Sequence, residues 1–447
     1  MEKFLIIPKQ IVTVNNSNDI LKNHCVEIED GVIVSIEHKD SFDFNNYTGK
    51  IYNFSNLTLI PGFVQTHIHL CQTLFRGLAE DLELLDWLQQ RIFPYENSHN
   101  KNSLKLSAQL GINELQKGGT TTLLDMGTIR YEEVIFEELA KSKMRAIAGK
   151  CMMDVNELYP TFKESTKDSL DESYRLAKNF HNTNNGKIKY GFAPRFVLSC
   201  TEELLVETKE MMQEFTGSIY HTHSSENKNE IEEVKRLHNM ENIEYFKSID
   251  ILGSNTVLAH GIHVNEKEID LLKTTKTRIS HCPSSNLKLG SGIADIPRYL
   301  NENISVSLGA DGAPCNNNLS AITEMRLASL IQKPRYSPTT MDALTVFRLA
   351  TIEGAKALHL ENEIGSIEVG KKADLVLMNL EKPNLTLNDE NIYASIIYSS
   401  ESRNIEEVMI EGEWVVQKGN SVFYNEDELY FNGKVELEKL LKRAKEK

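Results

Sequence analysis

Two histidines, His67 and His69, lie two residues apart at the end of an apolar run that opens with Leu59-Ile-Pro-Gly-Phe-Val. Alternate residues of a strand share a face, so both imidazoles point the same way and can grip one cation. Such a pair taken alone is more often a surface feature. Following an apolar run reverses that reading, because buried imidazoles need partners. His221-Thr-His223 offers a third imidazole at the end of another apolar run, with Glu226 three residues on. Spacing alone does not choose between His221 and His223. His223 is favoured, being nearer the strand end and Glu226. Asp311, in Leu308-Gly-Ala-Asp311-Gly312, closes a further apolar run beside glycines that let backbone approach a ligand closely. Three neutral imidazoles and one carboxylate suit Zn²⁺, with Fe²⁺ as the alternative, and leave room for water.

The chemistry such a cation supports is hydrolysis. It lowers the pKa of bound water toward about 7, and a neighbouring carboxylate, Glu226, can take that proton and deliver it to a substrate nitrogen. His260, ending Val257-Leu-Ala-His260, is placed to direct the water or to act as a further ligand, and both readings stay open. His281, in His281-Cys-Pro-Ser-Ser-Asn286, stands where it would support the ligands from behind. Arg195 puts a fixed positive charge where a second cation would sit, which favours a single metal. The H-x-E and P-C-x-x-C pattern of the zinc cytidine deaminases is absent. Each residue also has an ordinary reading: a turn aspartate for Asp311, a helix-opening glutamate for Glu226, an interior ion pair for Arg195, a core histidine for His221.

The elements that must position these residues decide between the readings. Apolar, β-branched runs recur at 57–69, 120–126, 146–153, 188–196, 218–224, 256–260, 277–281 and 304–311, with helical patterns between several of them, as at 229–249 and 266–274. Near-continuous hydrophobic strands separated by helices imply a parallel sheet covered by helices, and eight such units imply a closed (β/α)8 barrel. The histidine pair, Arg195, His223 with Glu226, His260, His281 and Asp311 all fall at or just past the C-terminal ends of these runs. That rim is where barrels build their sites.

Both chain ends have a different texture. Hairpin patterns turn at Asp30-Gly31 and near Glu411-Gly412, and Ala373-Asp-Leu-Val-Leu-Met reads as a strand. Residues 1–58 and 365–447 are therefore expected to form one small composite β-sandwich domain, with 59–364 as the barrel. Residues 427–447 read as a charged amphipathic helix docked on the surface. A formal net charge of −15 excludes a nucleic-acid backbone as partner. No apolar run is long enough for a membrane helix, and six scattered cysteines read as reduced thiols. The expected setting is the cytoplasm.

These residues resemble those of the amidohydrolase superfamily over most of the chain. The similar stretches are Pro61-Gly-Phe-Val-Gln-Thr-His-Ile-His69, Gly118-Gly-Thr-Thr-Thr122, His223-Ser-Ser-Glu226, His281-Cys-Pro-Ser-Ser-Asn-Leu-Lys-Leu289 and the loop from Gly309 to Asn318. Phe75-Arg-Gly-Leu-Ala-Glu-Asp-Leu82, Asp86-Trp-Leu88, Pro94-Tyr-Glu96 and Glu324-Met-Arg-Leu-Ala328 are similar to the branch that deaminates 5′-methylthioadenosine, S-adenosylhomocysteine and 5′-deoxyadenosine. The resemblance implies metal ligands at His67, His69, His223 and Asp311, Glu226 as proton shuttle, His260 beside the water, and Asp311 accepting a proton from the attacking hydroxide. It also implies ribose binding by Glu96, a pocket wall at Trp87, and a homo-oligomer. One departure stands out. Nucleoside-specific relatives carry a histidine where this chain has Arg195, and the segment from Pro194 to Cys200, Gln72, and the run Ser225-Glu-Asn227 with Glu230-Ile231 look like guanine deaminases. Arg195 offers two donors to a purine edge. The expected substrate is an adenine-type nucleoside modified at its 5′ position. Guanine, another free base or a triazine is the alternative, and a metal-binding barrel without catalysis a third reading.

Overall fold

The computed structural model describes residues 3–383, 385 and 391–446. The alternating N-terminal residues form β1 (Lys3–Val12), β2 (Ile20–Lys22), β3 (His24–Glu29), β4 (Val32–His38) and β5 (Lys50–Pro61). β3 and β4 turn at Asp30 and Gly31, whose φ values of 52° and 76° are those a tight hairpin demands. β5 runs parallel to β1 and stops at Pro61, which has no N–H to extend a ladder. At Gly62 a Cβ would collide with the Thr121 side chain, so only glycine fits there. The strand expected over 57–69 is consequently two strands in two sheets, the second being β6 (Phe63–His69).

The barrel comprises β6, β7 (Thr120–Met126), β8 (Arg145–Gly149), β9 (Cys151–Met152), β10 (Ile188–Pro194), β11 (Ile219–Ser224), β12 (Thr256–His260), β13 (Arg278–His281), β14 (Val306–Leu308) and β15 (Asp311–Gly312). β8 with β9, and β14 with β15, are successive segments of single barrel positions, so the eight expected runs supply eight positions. Neighbours pair in parallel around the ring, and β15 closes it by lying beside β6, Asp311 opposite Ile68 and Gly312 opposite His69. Every residue of β6 and β7 is buried, the signature of parallel strands covered on both faces. At Gly309, between β14 and β15, a Cβ would sit 2.7 Å from the His67 carbonyl oxygen. That close approach brings Asp311 beside the histidines.

The helix expected over 229–249 is two helices, Lys228–His238 and Asn242–Ser248. Asn239 ends the first in the left-handed conformation, φ 56°, which asparagine tolerates better than most residues. Beyond the barrel the chain returns as β16 (Leu375–Met378), β17 (Ile405–Ile410), β18 (Glu413–Gln417) and β19 (Asn420–Ser421). These join the first sheet in the order β19-β18-β17-β16-β5-β1-β3-β4, with β2 on β1. The two chain ends thus share one sheet and one apolar core, including Phe4, Ile28, Leu59, Leu375 and Met409. The C-terminal helix Glu426–Lys445 lays Leu440 and Leu437 against Leu74, Phe75 and Leu110 beside the barrel. Lys447, the end of the expected helix, lies outside the described residues. No described helix is long and apolar enough to cross a membrane, and all six cysteines are buried and unpaired.

Candidate metal centre and active site

β6 delivers His67 and His69, β11 delivers His223, and β15 opens with Asp311. One ligand atom from each lies within 4.8 Å of all the others. Each imidazole is turned by its other nitrogen. His69 Nδ1 lies 2.8 Å from the Met126 carbonyl oxygen and His223 Nδ1 lies 2.7 Å from that of Arg195. Carbonyls only accept, so both Nδ1 atoms carry hydrogen and both Nε2 atoms present lone pairs to the shared centre. His67 Nδ1 lies 2.8 Å from His221 Nε2, leaving His67 Nε2 buried without a hydrogen-bond partner. Asp311 Oδ1 lies 3.2 Å from that atom and 3.3 Å from His69 Nε2. An orphaned imidazole nitrogen aimed at a carboxylate, inside a ring of three such nitrogens, fits a divalent cation. His221, the rejected rival for the third ligand position, holds the first ligand from behind.

Charge agrees with that assignment. Burial pushes the His67 pKa down to about 4 and holds His223 and His221 well below the usual histidine range. His67 and His223 are thereby kept in the neutral form a ligand needs, whereas burial lowers the pKa of His69 and the Asp311 carboxylate more than offsets it, raising it. Burial alone would raise the Asp311 pKa, but the facing His67 and His69 win and keep its carboxyl well below its ordinary value. Asp311, the first residue of β15, and His260, the last of β12, both have left-handed backbone, φ 62° and 74°. Strained backbone of this sort costs about 1–3 kcal/mol per residue and concentrates at functional sites.

Glu226 follows β11 and sends Oε2 to within 3.5 Å of His260 Nε2, which is 3.9 Å from Asp311 Oδ2. Burial, reinforced by the negative Asp311 and Glu230, raises the Glu226 pKa well above the usual carboxylate value. A carboxyl group whose pKa is raised in this way is suited to taking up a proton and passing it on. His260 Nδ1 is 2.9 Å from Asn286 Oδ1, and Ser285 Oγ donates to Asp311 Oδ2 at 2.6 Å. Neither Asn286 nor Ser285 was singled out from the sequence, although both belong to the His281-Cys-Pro-Ser-Ser-Asn286 stretch. Buried Glu324 fastens that stretch by accepting from Ser284 N at 3.1 Å. His281 itself is fully buried and neither ring nitrogen has a partner.

The cavity over this centre is walled by Gln72, Leu84, Trp87, Leu88, Arg195 and Phe196 and has a volume of about 30 Å³. That is space for water but not for a ring. Leu84, Trp87 and Leu88 come from short helical segments, Leu84–Trp87 and Leu88–Ile92, that lie across the mouth. Trp87 Nε1 and Gln72 Oε1 are both buried without partners. Arg195 donates to Glu96 from Nη1 at 3.0 Å and from Nη2 at 3.3 Å, and Gln72 Nε2 donates to the same carboxylate at 2.8 Å. Glu96 therefore stands behind Arg195 and Gln72, its side chain sealed from solvent.

The amidohydrolase family model matches residues 58–415. A 5-methylthioadenosine/S-adenosylhomocysteine deaminase of Thermodesulfovibrio yellowstonii is 35% identical over 95% of this chain and 96% of its own. A 5′-deoxyadenosine deaminase of Methanobrevibacter smithii is 36% identical over 89% of each chain. Among solved structures, a zinc-bound adenosine deaminase of Xanthomonas campestris superposes with a TM-score of 0.91 and 25% identity, covering 98% of both chains. On this evidence the chain belongs to the amidohydrolase family and is a metal-dependent deaminase built on a (β/α)8 barrel.

Proposed function

We propose that the chain hydrolytically deaminates an adenine-type nucleoside with a modified 5′ position (5′-deoxyadenosine, methylthioadenosine or S-adenosylhomocysteine), releasing ammonia and the inosine-type product. The catalytic unit is 59–364, and 1–58 with 365–447 form the accessory domain. The observation that carries the reading is the His67, His69, His223 and Asp311 cluster beside a buried, protonatable Glu226. A divalent cation held there, Zn²⁺ or else Fe²⁺, makes water nucleophilic near neutral pH.

The chain's own residues do the rest. His260, oriented by Asn286, fixes the direction from which water attacks the amino-bearing ring carbon. Glu226 takes one proton from the water and passes it to the adjacent ring nitrogen, which makes that carbon more electrophilic. Asp311 accepts the water's remaining proton and returns it to the departing amine. Arg195 and Gln72 offer hydrogen bonds to the ring edge, Trp87 walls the ring with its free indole N–H, and His281 backs the His260 loop. Glu96 reaches a ribose hydroxyl by exchanging the Gln72 amide for the sugar. Leu84, Trp87 and Leu88 swing outward to admit substrate, since a purine exceeds the space beneath them. The reading includes a cytoplasmic homo-oligomer acting on small molecules, neither nucleic acid nor membrane.

One observation favours a second reading, deamination of guanine, another free base or a triazine: Arg195 and Gln72 line the cavity while Glu96 does not. An ammonia-release panel of 5′-deoxyadenosine, methylthioadenosine, S-adenosylhomocysteine, adenosine, guanine and an aminotriazine separates the two. The modified nucleosides are expected to turn over fastest, and a free base outpacing all of them sinks the first reading. Metal analysis should return one equivalent per chain. Glu226→Gln should keep that metal and lose about 10²–10⁴-fold in kcat.

A further inference from the structure

Glu226 sits on a bend. Ser225 before it has φ 55°, and the helix Lys228–His238 begins two residues later. The position of a carboxylate on a bend depends on what fixes its backbone, and the bend is pinned from two sides. The Ser225 carbonyl accepts from Ile262 N at 2.9 Å and His263 N at 3.1 Å, and the Ser224 carbonyl from Gly261 N at 3.1 Å. These bonds stitch the bend to the loop that follows His260. From the other side, Glu230 Oε2 accepts from Glu226 N at 2.8 Å and from Asn227 N at 3.2 Å. Its other oxygen is held by the Asn242 side-chain amide, itself buried at the start of the next helix.

We propose that Glu230 is a positioning residue for Glu226, clamping the two backbone N–H groups that set where the Glu226 carboxylate meets His260. The proposal rests on the reading of Glu226 as proton carrier. Glu230 is 1% exposed and is among the residues lining the cavity. Burying a carboxylate is costly unless its hydrogen bonds are made. All those found here go to the Glu226 segment and to Asn242. A helix cap alone needs no such burial, because an exposed glutamate at the same turn caps equally well. The clamp also explains the break between the two helices, since Asn242 meets Glu230 only after the chain turns at Asn239.

The test compares Glu230→Ala with Glu230→Gln in the metal-loaded enzyme. A glutamine keeps an oxygen for both N–H groups, and its amide can donate to Asn242 Oδ1, which lacks a partner, once that amide turns over. Glu230→Ala should lose about a hundredfold in kcat, the scale of a small misplacement of a reacting group. KM and bound metal should be unchanged, and Glu230→Gln should stay near wild type. Hydrogen-exchange mass spectrometry of residues 224–230 gives a readout free of substrate: faster exchange in Glu230→Ala, wild-type exchange in Glu230→Gln. Should Glu230→Ala fold poorly, Asn242→Ala supplies the second variant, with a smaller loss of kcat and the same acceleration of exchange. Wild-type kcat and exchange in Glu230→Ala overturn the proposal. So does a Glu230→Gln as inactive as Glu230→Ala with undisturbed exchange, which would assign the effect to charge. Running these variants on every compound of the panel keeps the clamp testable if a free base proves to be the substrate. A fully active Glu226→Gln instead removes the proton carrier, and the positioning role with it.

Discussion

Two buried arginine–carboxylate pairs stand at opposite ends of the barrel. Arg145, at the start of β8, donates to Asp374 from Nε at 2.8 Å and from Nη2 at 3.1 Å. Arg195, just past the end of β10, meets Glu96 in a similar fork. Both arginines are 3% exposed. In both, burial opposes the charge and the facing carboxylate outweighs it, so each guanidinium pKa is raised. What differs is the surroundings. Asp374 also accepts from Glu411 N, and its pair fastens the barrel floor to the sheet made by the chain ends. Arg195 faces the cavity, and its carbonyl oxygen accepts from His223 Nδ1. The same chemistry secures the fold at the N-terminal end of the strands and shapes a site at the C-terminal end.

The largest effect that can break this comparison belongs to Arg145→Met. It leaves the Asp374 carboxylate buried without its partner, at a cost of about 3–5 kcal/mol in stability. Denaturant unfolding should show that loss, while kcat per folded molecule stays at the wild-type value. Replacing both partners, Arg145→Met with Asp374→Leu, should recover most of the stability, because a buried pair contributes little over a well-packed apolar one. A folded Arg145→Met with impaired kcat would mean that the floor of the barrel is coupled to the mouth.

Sequence pattern exposed one of these regions far better than the other. His67, His69, His223, His260 and Asp311 were legible because each interrupts or ends an apolar run. An interior ion pair was the ordinary reading for Arg195, yet nothing local pointed to Glu96, 99 residues earlier, as its partner. The Arg145–Asp374 pair was invisible, for it joins elements 229 residues apart in two sheets. His221 read as a core histidine, and only the folded barrel shows it steadying His67. Asn286 and Ser285 lay in a quoted motif but have no distinctive spacing, and their partners come from other strands.

Acid should act mainly at the mouth, where burial lowers the pKa of His67, His221, His223, His260 and His281. Burial, with His260 adding to it, pushes the His281 pKa down to about 3. Its ordinary value lies near 6.5, so as pH falls the unfolded chain takes up the proton first. The contribution of His281 is complete above pH 6.5 and drains away as pH drops toward 3. The stability difference between wild type and His281→Gln should therefore shrink by about 1.4 kcal/mol per pH unit below pH 6. Histidines that do not interact with His281 cancel in that difference. Denaturant unfolding at intervals from pH 7 to pH 4 measures it, and a flat difference would show that His281 is protonated when folded.

The smallest expected effect bears most directly on why the upper pair exists. Glu96→Gln keeps one oxygen for Gln72 and Arg195 Nη2 but turns an amide toward Nη1, so a charge-assisted hydrogen bond is lost. If this pair were only a fastening like its counterpart below, the change would lower Tm and leave kcat/KM alone. Arg195 borders the cavity, so loosening it should instead cost about tenfold in kcat/KM, or about 1.4 kcal/mol, mostly through KM. The ratio of nucleoside to free-base turnover should also shift, since Glu96 is the proposed ribose contact and Arg195 the proposed ring contact. Measuring that ratio for Glu96→Gln alongside Gln72→Ala separates the two roles. A loss confined to nucleosides assigns Glu96 to the sugar, and an equal loss on every substrate assigns it to the support of Arg195.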